Sequence, residues 1–235
     1  MSLIPPPQKT VLLVGASRGL GYAMAAEFLG RGWNVVGTVR GAGRTRLHEL
    51  SEREPARVQI ESLDITLPEQ IAAMRTRLAG RSFEMLFVNA GVTNNPEETI
   101  AQVSTEEFIR VMVTNALSPM RVVEALCDLV CTDGLIGVMS SGQGSVSNNT
   151  MGMREVYRGS KAALNMFMRS FAARHSGDTR SLVLMAPGWV RTDMGGPDAR
   201  LSIEESVPNV VATLLATSGK PGLHYLDYLG RTVPW

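Results

Sequence analysis

The sequence predicts an α/β fold, a doubly wound and mostly parallel β-sheet with helices on both faces, and three observations predict it. Short runs rich in Val, Leu and Ile alternate with amphipathic stretches along the whole chain. The runs lack strict apolar–polar alternation, which suits parallel strands covered on both faces. A glycine-rich turn joins the first run to the first amphipathic stretch, setting a helix directly behind a strand. Each strand–helix–strand repeat implies a right-handed crossover, so the helices are shared between the two faces of the sheet.

The first strand is TVLLV (10–14), followed by helical periodicity in LGYAMAAEFLGRG (20–32), where Gly30 and Gly32 supply the stop. WNVVGTV (33–39) and RVQIES (57–62) are the second and third strands. LPEQIAAMRTRLAG (67–80) is the next helix and MLFVN (85–89) the fourth strand. One long helix is expected over 104–130. It is opened by Ser104 or Thr105 ahead of Glu106 and Glu107, because a hydroxyl caps and carboxylates meet the positive end of the helix dipole. LIGVMS (135–140) is the fifth strand, SKAALNMFMRSFAARH (160–175) a helix and SLVLMA (181–186) the sixth strand. No repeat, low-complexity block or linker divides the chain. A single domain is therefore expected over 1–235, with residues 1–8 as a flexible N-terminal tail.

The chain has 235 residues, 44% of them hydrophobic and 19% charged, a balance that can bury a sizeable core. Its formal net charge of +1 gives no electrostatic case for nucleic acid or an anionic membrane as partner. No apolar run approaches the ~20 residues that span a bilayer. The N-terminus lacks the basic-then-apolar layout of a signal peptide, so a cytoplasmic location is expected. Cys127 and Cys131 end a helix-like stretch and are expected on one helical face as buried or half-buried free thiols. No histidine lies close in sequence to complete a site with them, so no metal is expected.

The turn after the first strand reads GASRGLG, with Gly15, Gly19 and Gly21 ahead of a helix. In a Rossmann-type unit such a turn lets backbone amides and a helix N-terminus approach a pyrophosphate. At the end of the second strand a site preferring NAD would present an acid to the ribose. Here GTVRGAGR places Arg40 there, with no carboxylate before Glu49, and Arg18 lies in the turn itself. Guanidinium groups hold phosphate oxygens bidentately, so the two arginines favour the 2′-phosphate of NADP(H).

Tyr157 and Lys161 lie one turn apart on one helical face. An unperturbed tyrosine titrates near ~10. A neighbouring ammonium would stabilise the phenolate, lower that value and tune the hydroxyl for proton transfer. Upstream, MSSGQGS supplies Ser140 and Ser141 at the C-terminal end of the fifth strand, the edge at which open α/β sheets bind ligands. A serine hydroxyl there could bond a carbonyl oxygen as charge develops on it during hydride transfer.

In order and spacing, over nearly the whole length, these motifs resemble those of the short-chain dehydrogenase/reductase family in its compact single-domain branch. GASRGLG resembles the family's cofactor loop and NAG (89–91) the end of its fourth strand. YRGSK matches its Tyr-x-x-x-Lys motif, and PGWVRTDM resembles its segment beside nicotinamide. Within the family the resemblance is closest to C-factor-like proteins and sniffer-type carbonyl reductases, through YRGSKAALNMF, PGWVRTDMGGPDA and LDYLGRTVPW.

The resemblance implies a catalytic tetrad of Asn115, Ser141, Tyr157 and Lys161. Tyr157 would be the acid for reduction and the base for oxidation. Lys161 would hold the nicotinamide ribose and lower the tyrosine pKa, while Asn115 orients a water in a proton relay. Ser141 is preferred to Ser140 because Gly144 follows it at +3, as in the family pattern. The resemblance further implies that Gly15, Ser17, Arg18, Gly19, Leu20, Gly21 and Arg40 bind the cofactor. Asp64 would take the adenine amine with Ile65 packed nearby, and Asn89, Ala90 and Gly91 would border the dinucleotide. Pro187, Gly188, Val190 and Thr192, with Tyr157 and Lys161, would line its nicotinamide side. The activity implied is an NADPH-dependent carbonyl reductase acting on a small ketone, aldehyde or quinone. The alternative is an NADP(H)-binding signalling or regulatory protein of C-factor type. Family members pair through helices corresponding to 104–130 and 157–175, which implies a homodimer or homotetramer. The loop between Ser141 and Tyr157 is longer than the family's commonest spacing, and the short run from TDMGG to LSIEESV leaves little room for a lid.

Overall fold

A computed structural model describes residues 8–235, so all of the expected tail except Gln8 lies outside the described residues. Strands β1 (Thr10–Val14), β2 (Asn34–Val39), β3 (Val58–Ser62), β4 (Phe83–Val88), β5 (Val130–Met139), β6 (Ser181–Ala186) and β7 (Gly222–Asp227) form one sheet. Its order is β3-β2-β1-β4-β5-β6-β7, and every paired neighbour is parallel. The connections reverse direction between β1 and β4, which opens a crevice at the C-terminal ends of those strands.

The lack of strict alternation has the expected cause. Leu12 and Val14 of β1 face α3 (Pro68–Arg77), α5 (Ser118–Leu126) and α6 (Glu155–Arg174). Val11 and Leu13 face α1 (Gly19–Gly30), α2 (Arg46–Arg53) and α7 (Ile203–Thr217). Phe28, Phe83 and Phe171 are fully buried in these two layers, each contributing ~2–3 kcal/mol of apolar burial.

Three elements lie outside the sequence reading. The eight-residue α2 is mostly polar, α7 carries Pro208 inside it, and β7 is an edge strand with polar residues in its run. Two expectations are corrected. The helix foreseen over 104–130 divides into α4 (Thr105–Met112), a π turn at Val113–Leu117, α5 and a short 3₁₀ turn at Cys127–Leu129. Pro119 is the cause: it has no N–H for the carbonyl of Asn115 four residues back, and its ring would press on that carbonyl. The backbone widens instead, and the Ser118 amide bonds to the Val113 carbonyl. Consequently Cys127 and Cys131 do not share a helical face, because Cys131 already belongs to β5. Both are free thiols, half-buried, and burial raises both, Cys131 to about 11.

Candidate active site

The glycine turn is built by close approach. Gly15 has a φ of 88°, and a Cβ there would lie 2.8 Å from the Ala90 amide nitrogen. A Cβ on Gly21 would lie 2.0 Å from the Gly15 carbonyl oxygen. The Gly15 amide donates to Thr38 Oγ1 at 2.9 Å, and Asn89 Nδ2 donates to the Gly15 carbonyl at 2.8 Å. The turn is thereby drawn onto the ends of β2 and β4, with the N-terminus of α1 facing the crevice. A cradle that admits no side chain, beside a helix N-terminus, could hold a dinucleotide's pyrophosphate. Arg18 and Arg40 are both exposed at its rim. Arg18 Nη1 reaches across to Asp193 Oδ2 at 2.8 Å. Asp64 Oδ1 accepts from the Thr66 amide and hydroxyl at 2.9 and 2.7 Å. Burial works to raise this carboxyl, but the Thr66 bonds and the Arg40 charge outweigh it and hold it below the usual range.

At the other end of the crevice α6 carries Tyr157 and Lys161, both buried. Lys161 Nζ donates to the Met139 carbonyl, at the end of β5, over 2.8 Å. Burial alone pushes its ammonium down to about 8. The expectation that Lys161 acidifies Tyr157 is corrected here. Burial is the largest influence and raises the phenol above its ordinary value, while the opposing groups are the Ser141 side chain and the charge of Arg154. Ser141 caps the 3₁₀ turn Gly142–Gly144, its Oγ accepting from the Gln143 amide at 3.1 Å. Its carbonyl is held by the Tyr225 hydroxyl at 2.5 Å. Ser140 points elsewhere, donating to Asn165 Oδ1 at 2.6 Å.

Asn115 lies in the π turn and is fully shielded. Its side-chain amide clasps Val92, accepting from the amide and donating to the carbonyl, each at 2.8 Å. It also donates to Ser160 Oγ at 3.0 Å, and Ser160 donates to the Tyr157 carbonyl at 2.7 Å. Asn115 thus ties the loop after β4 to the helix bearing Tyr157.

A cleft of about 840 Å³ gathers every site residue named from the sequence except Gly21 and Asn115. Gly21 lies beneath Gly15, and Asn115 stands behind the wall. Of residues 193–203, Asp193, Met194 and Gly195 reach the cleft. Thr38 and the wall residues Thr93, Arg110, Arg154 and Trp189, with Tyr225 behind Ser141, were not among the site residues named from the sequence. Two of them left a trace there: Trp189 lies within PGWVRTDM, and Arg154 is a cation three residues ahead of Tyr157.

The chain matches the short chain dehydrogenase family over residues 9–200. It is 68% identical to a short-chain dehydrogenase/reductase of Burkholderia multivorans solved with bound NADP. That match covers 97% of this chain and 100% of the other, with a TM-score of 0.96. A carbonyl reductase of Pseudomonas aeruginosa PAO1, solved in complex with NADP, is 34% identical over 97% of this chain and 100% of its own, with a TM-score of 0.88. The C-signal of Myxococcus xanthus is 34% identical over 69% of this chain and 99% of its own length.

Proposed function

The chain belongs to the short-chain dehydrogenase family, and we propose that it acts there as an NADPH-dependent reductase of ketones, aldehydes or quinones. The observation that carries this reading is the meeting of Ser141, Tyr157 and Lys161 in one cleft with the glycine turn. When bound, the reduced nicotinamide supplies a hydride to the carbonyl carbon. The chain's own groups do the rest. The Gly15–Gly21 turn holds the pyrophosphate, and Arg18 and Arg40 take the 2′-phosphate. The Ser141 hydroxyl donates to the carbonyl oxygen as negative charge gathers on it. Tyr157 is kept neutral by burial, so its proton is in place to pass from Oη to that oxygen. Lys161 stands one helical turn away to return a proton to the phenolate. Asn115 keeps the Val92 loop and the Tyr157 helix in register.

The test is NADPH oxidation followed with a panel of ketones, aldehydes and quinones, beside Tyr157→Phe. Loss of about a hundredfold or more in the variant is expected wherever wild type turns over. Equal rates would end the proposal. Similarity to C-signal favours a second reading, a cofactor-binding signalling protein with incidental redox activity. NADPH binding without turnover of any carbonyl, together with a stable protein partner, would select it. Exposed Phe108 and Ile109 on α4, with Met166 and Phe167 on α6, support pairing of subunits through these helices. Light scattering of the purified protein decides between monomer, dimer and tetramer.

A further inference from the structure

We propose that Arg154 is a substrate-binding residue, and that the carbonyl compound this site takes carries a carboxylate one or two carbons from its reacting carbon. The inference rests on the reductase reading above and narrows its substrate class. Arg154 lies on the wall of the cleft with Tyr157, its guanidinium carbon 5.3 Å from the centre of the phenol ring. It is the single non-glycine among the described residues with a positive φ, 65° with ψ 37°, at the cap position of α6. Arginine rarely adopts that left-handed backbone, and such strain is retained where the surrounding structure needs one side chain in one place.

What that side chain meets is uneven. Its Nη2 has one distant acceptor, Thr93 Oγ1 at 3.4 Å, and its buried Nε has no acceptor among the described residues. Among the described residues no carboxylate pairs with it, and the acids nearby are engaged elsewhere. Glu107 binds Arg110, the other cation of this wall, through two bonds of 2.7 Å, and Glu155 accepts from the Ile100 amide. Farther along the cleft Asp193 pairs with Arg18 and Asp227 with Arg231. A cation left without an acid, with a desolvated donor, beside the proton-bearing phenol, is complementary to a bidentate oxyanion. A ketone oxygen set at Ser141 and Tyr157 places the neighbouring carbons of its substrate against this wall. With the guanidinium only 5.3 Å from the phenol ring centre, the class that suits this wall is the 2-oxo and 3-oxo acids, whose carboxylate stays close to the reacting carbonyl.

The experiment compares benzoylformate and acetoacetate with their methyl esters, using NADPH and purified wild type, Arg154→Met and Arg154→Lys. Because the esters are the more electrophilic ketones, selectivity is read as the change in the acid-to-ester ratio of kcat/KM on substitution. In Arg154→Met the acid is expected to lose about ten- to a hundredfold while its ester changes by less than about threefold. Arg154→Lys is expected to recover part of the loss. Thermal midpoints of the three proteins exclude misfolding as the cause. Equal losses on acid and ester, with the pH profile displaced, would show that Arg154 serves Tyr157 alone and would overturn the proposal. Turnover of the esters with an unchanged ratio would also overturn it, while leaving the reductase reading standing. If none of the four compounds is reduced, the anion site is read by binding. Benzoylformate should then raise the thermal midpoint of the wild-type complex with NADP⁺ and not that of Arg154→Met, and equal shifts would reject the site.

Discussion

Replacing Lys161 by methionine isolates what a buried ammonium does to stability. Burial moves its pKa from the ordinary 10.5 to about 8. Between those values the unfolded chain holds a proton that the folded chain releases, so the free energy of unfolding rises with pH through that window. The gap corresponds to about 3 kcal/mol withheld from the folded state at neutral pH and recovered as the solution is made alkaline. Methionine keeps the length of the side chain and removes the titration. It also strands the Met139 carbonyl, which accepts from Lys161 Nζ at 2.8 Å, at ~1–3 kcal/mol that does not vary with pH. The two effects therefore separate as an offset and a slope. Urea unfolding followed by circular dichroism at pH 7 and pH 10 should show wild type gaining ~2–3 kcal/mol on the variant between the two conditions. Other groups that titrate in that range are common to both proteins and cancel. If the difference between the proteins is the same at both pH values, Lys161 is not the desolvated ammonium described here.

Gly21→Ala puts a methyl 2.0 Å from the Gly15 carbonyl and 2.6 Å from Asn89 Nδ2, so the turn must shift off β4. A loss of ~1–3 kcal/mol and disappearance of the thermal shift on adding NADP⁺ are expected, whereas Gly30→Ala, with open space around it, should leave both intact. Arg40→Ala should weaken NADPH about tenfold and leave NADH unchanged, and unaltered efficiency with both cofactors would remove the case for a 2′-phosphate site. Asp193→Asn frees Arg18 from its exposed partner and should tighten NADPH by about two- to fivefold, read by fluorescence titration.

Much of this arrangement was legible because each feature was local in the chain. The glycine turn, the Tyr157–Lys161 pair and the buried strands are short patterns whose physics needs no distant partner. The failures have the opposite character. α7 opens on Ser202 and Glu205, a reciprocal cap with bonds of 2.7 and 3.2 Å, and this signal stood in the sequence. Pro208 five residues into the helix argued against it, and packing of Val207, Val210, Val211 and Leu214 on the sheet overrode the proline. β7 contributes one pairing edge and has a half-buried face, so its run gave no apolar signature. The π turn needed one step more than periodicity, namely that Pro119 stands four residues after Asn115. Arg154 showed in the sequence only as a cation ahead of Tyr157, since neither its left-handed backbone nor the missing acid is written in any short segment.

The buried ammonium of Lys161 changes how proton return should work. Free tyrosine and lysine titrate close together, with lysine slightly the weaker acid. Burial separates them in the opposite order, raising Tyr157 and bringing Lys161 down to about 8. Lys161 is then the stronger acid, so under the proposed mechanism a phenolate left after Tyr157 has given up its proton would be refilled downhill from the lysine. Acidification of the phenol is unnecessary for reduction; a phenol that stays protonated at neutral pH suits it better. It follows that the alkaline limb of kcat for reduction should fall near pH 8 and belong to the lysine, because its neutral form has no proton to return. A limb that stays in place in Lys161→Arg, whose guanidinium does not titrate in this range, would assign it to another group and dissolve the relay.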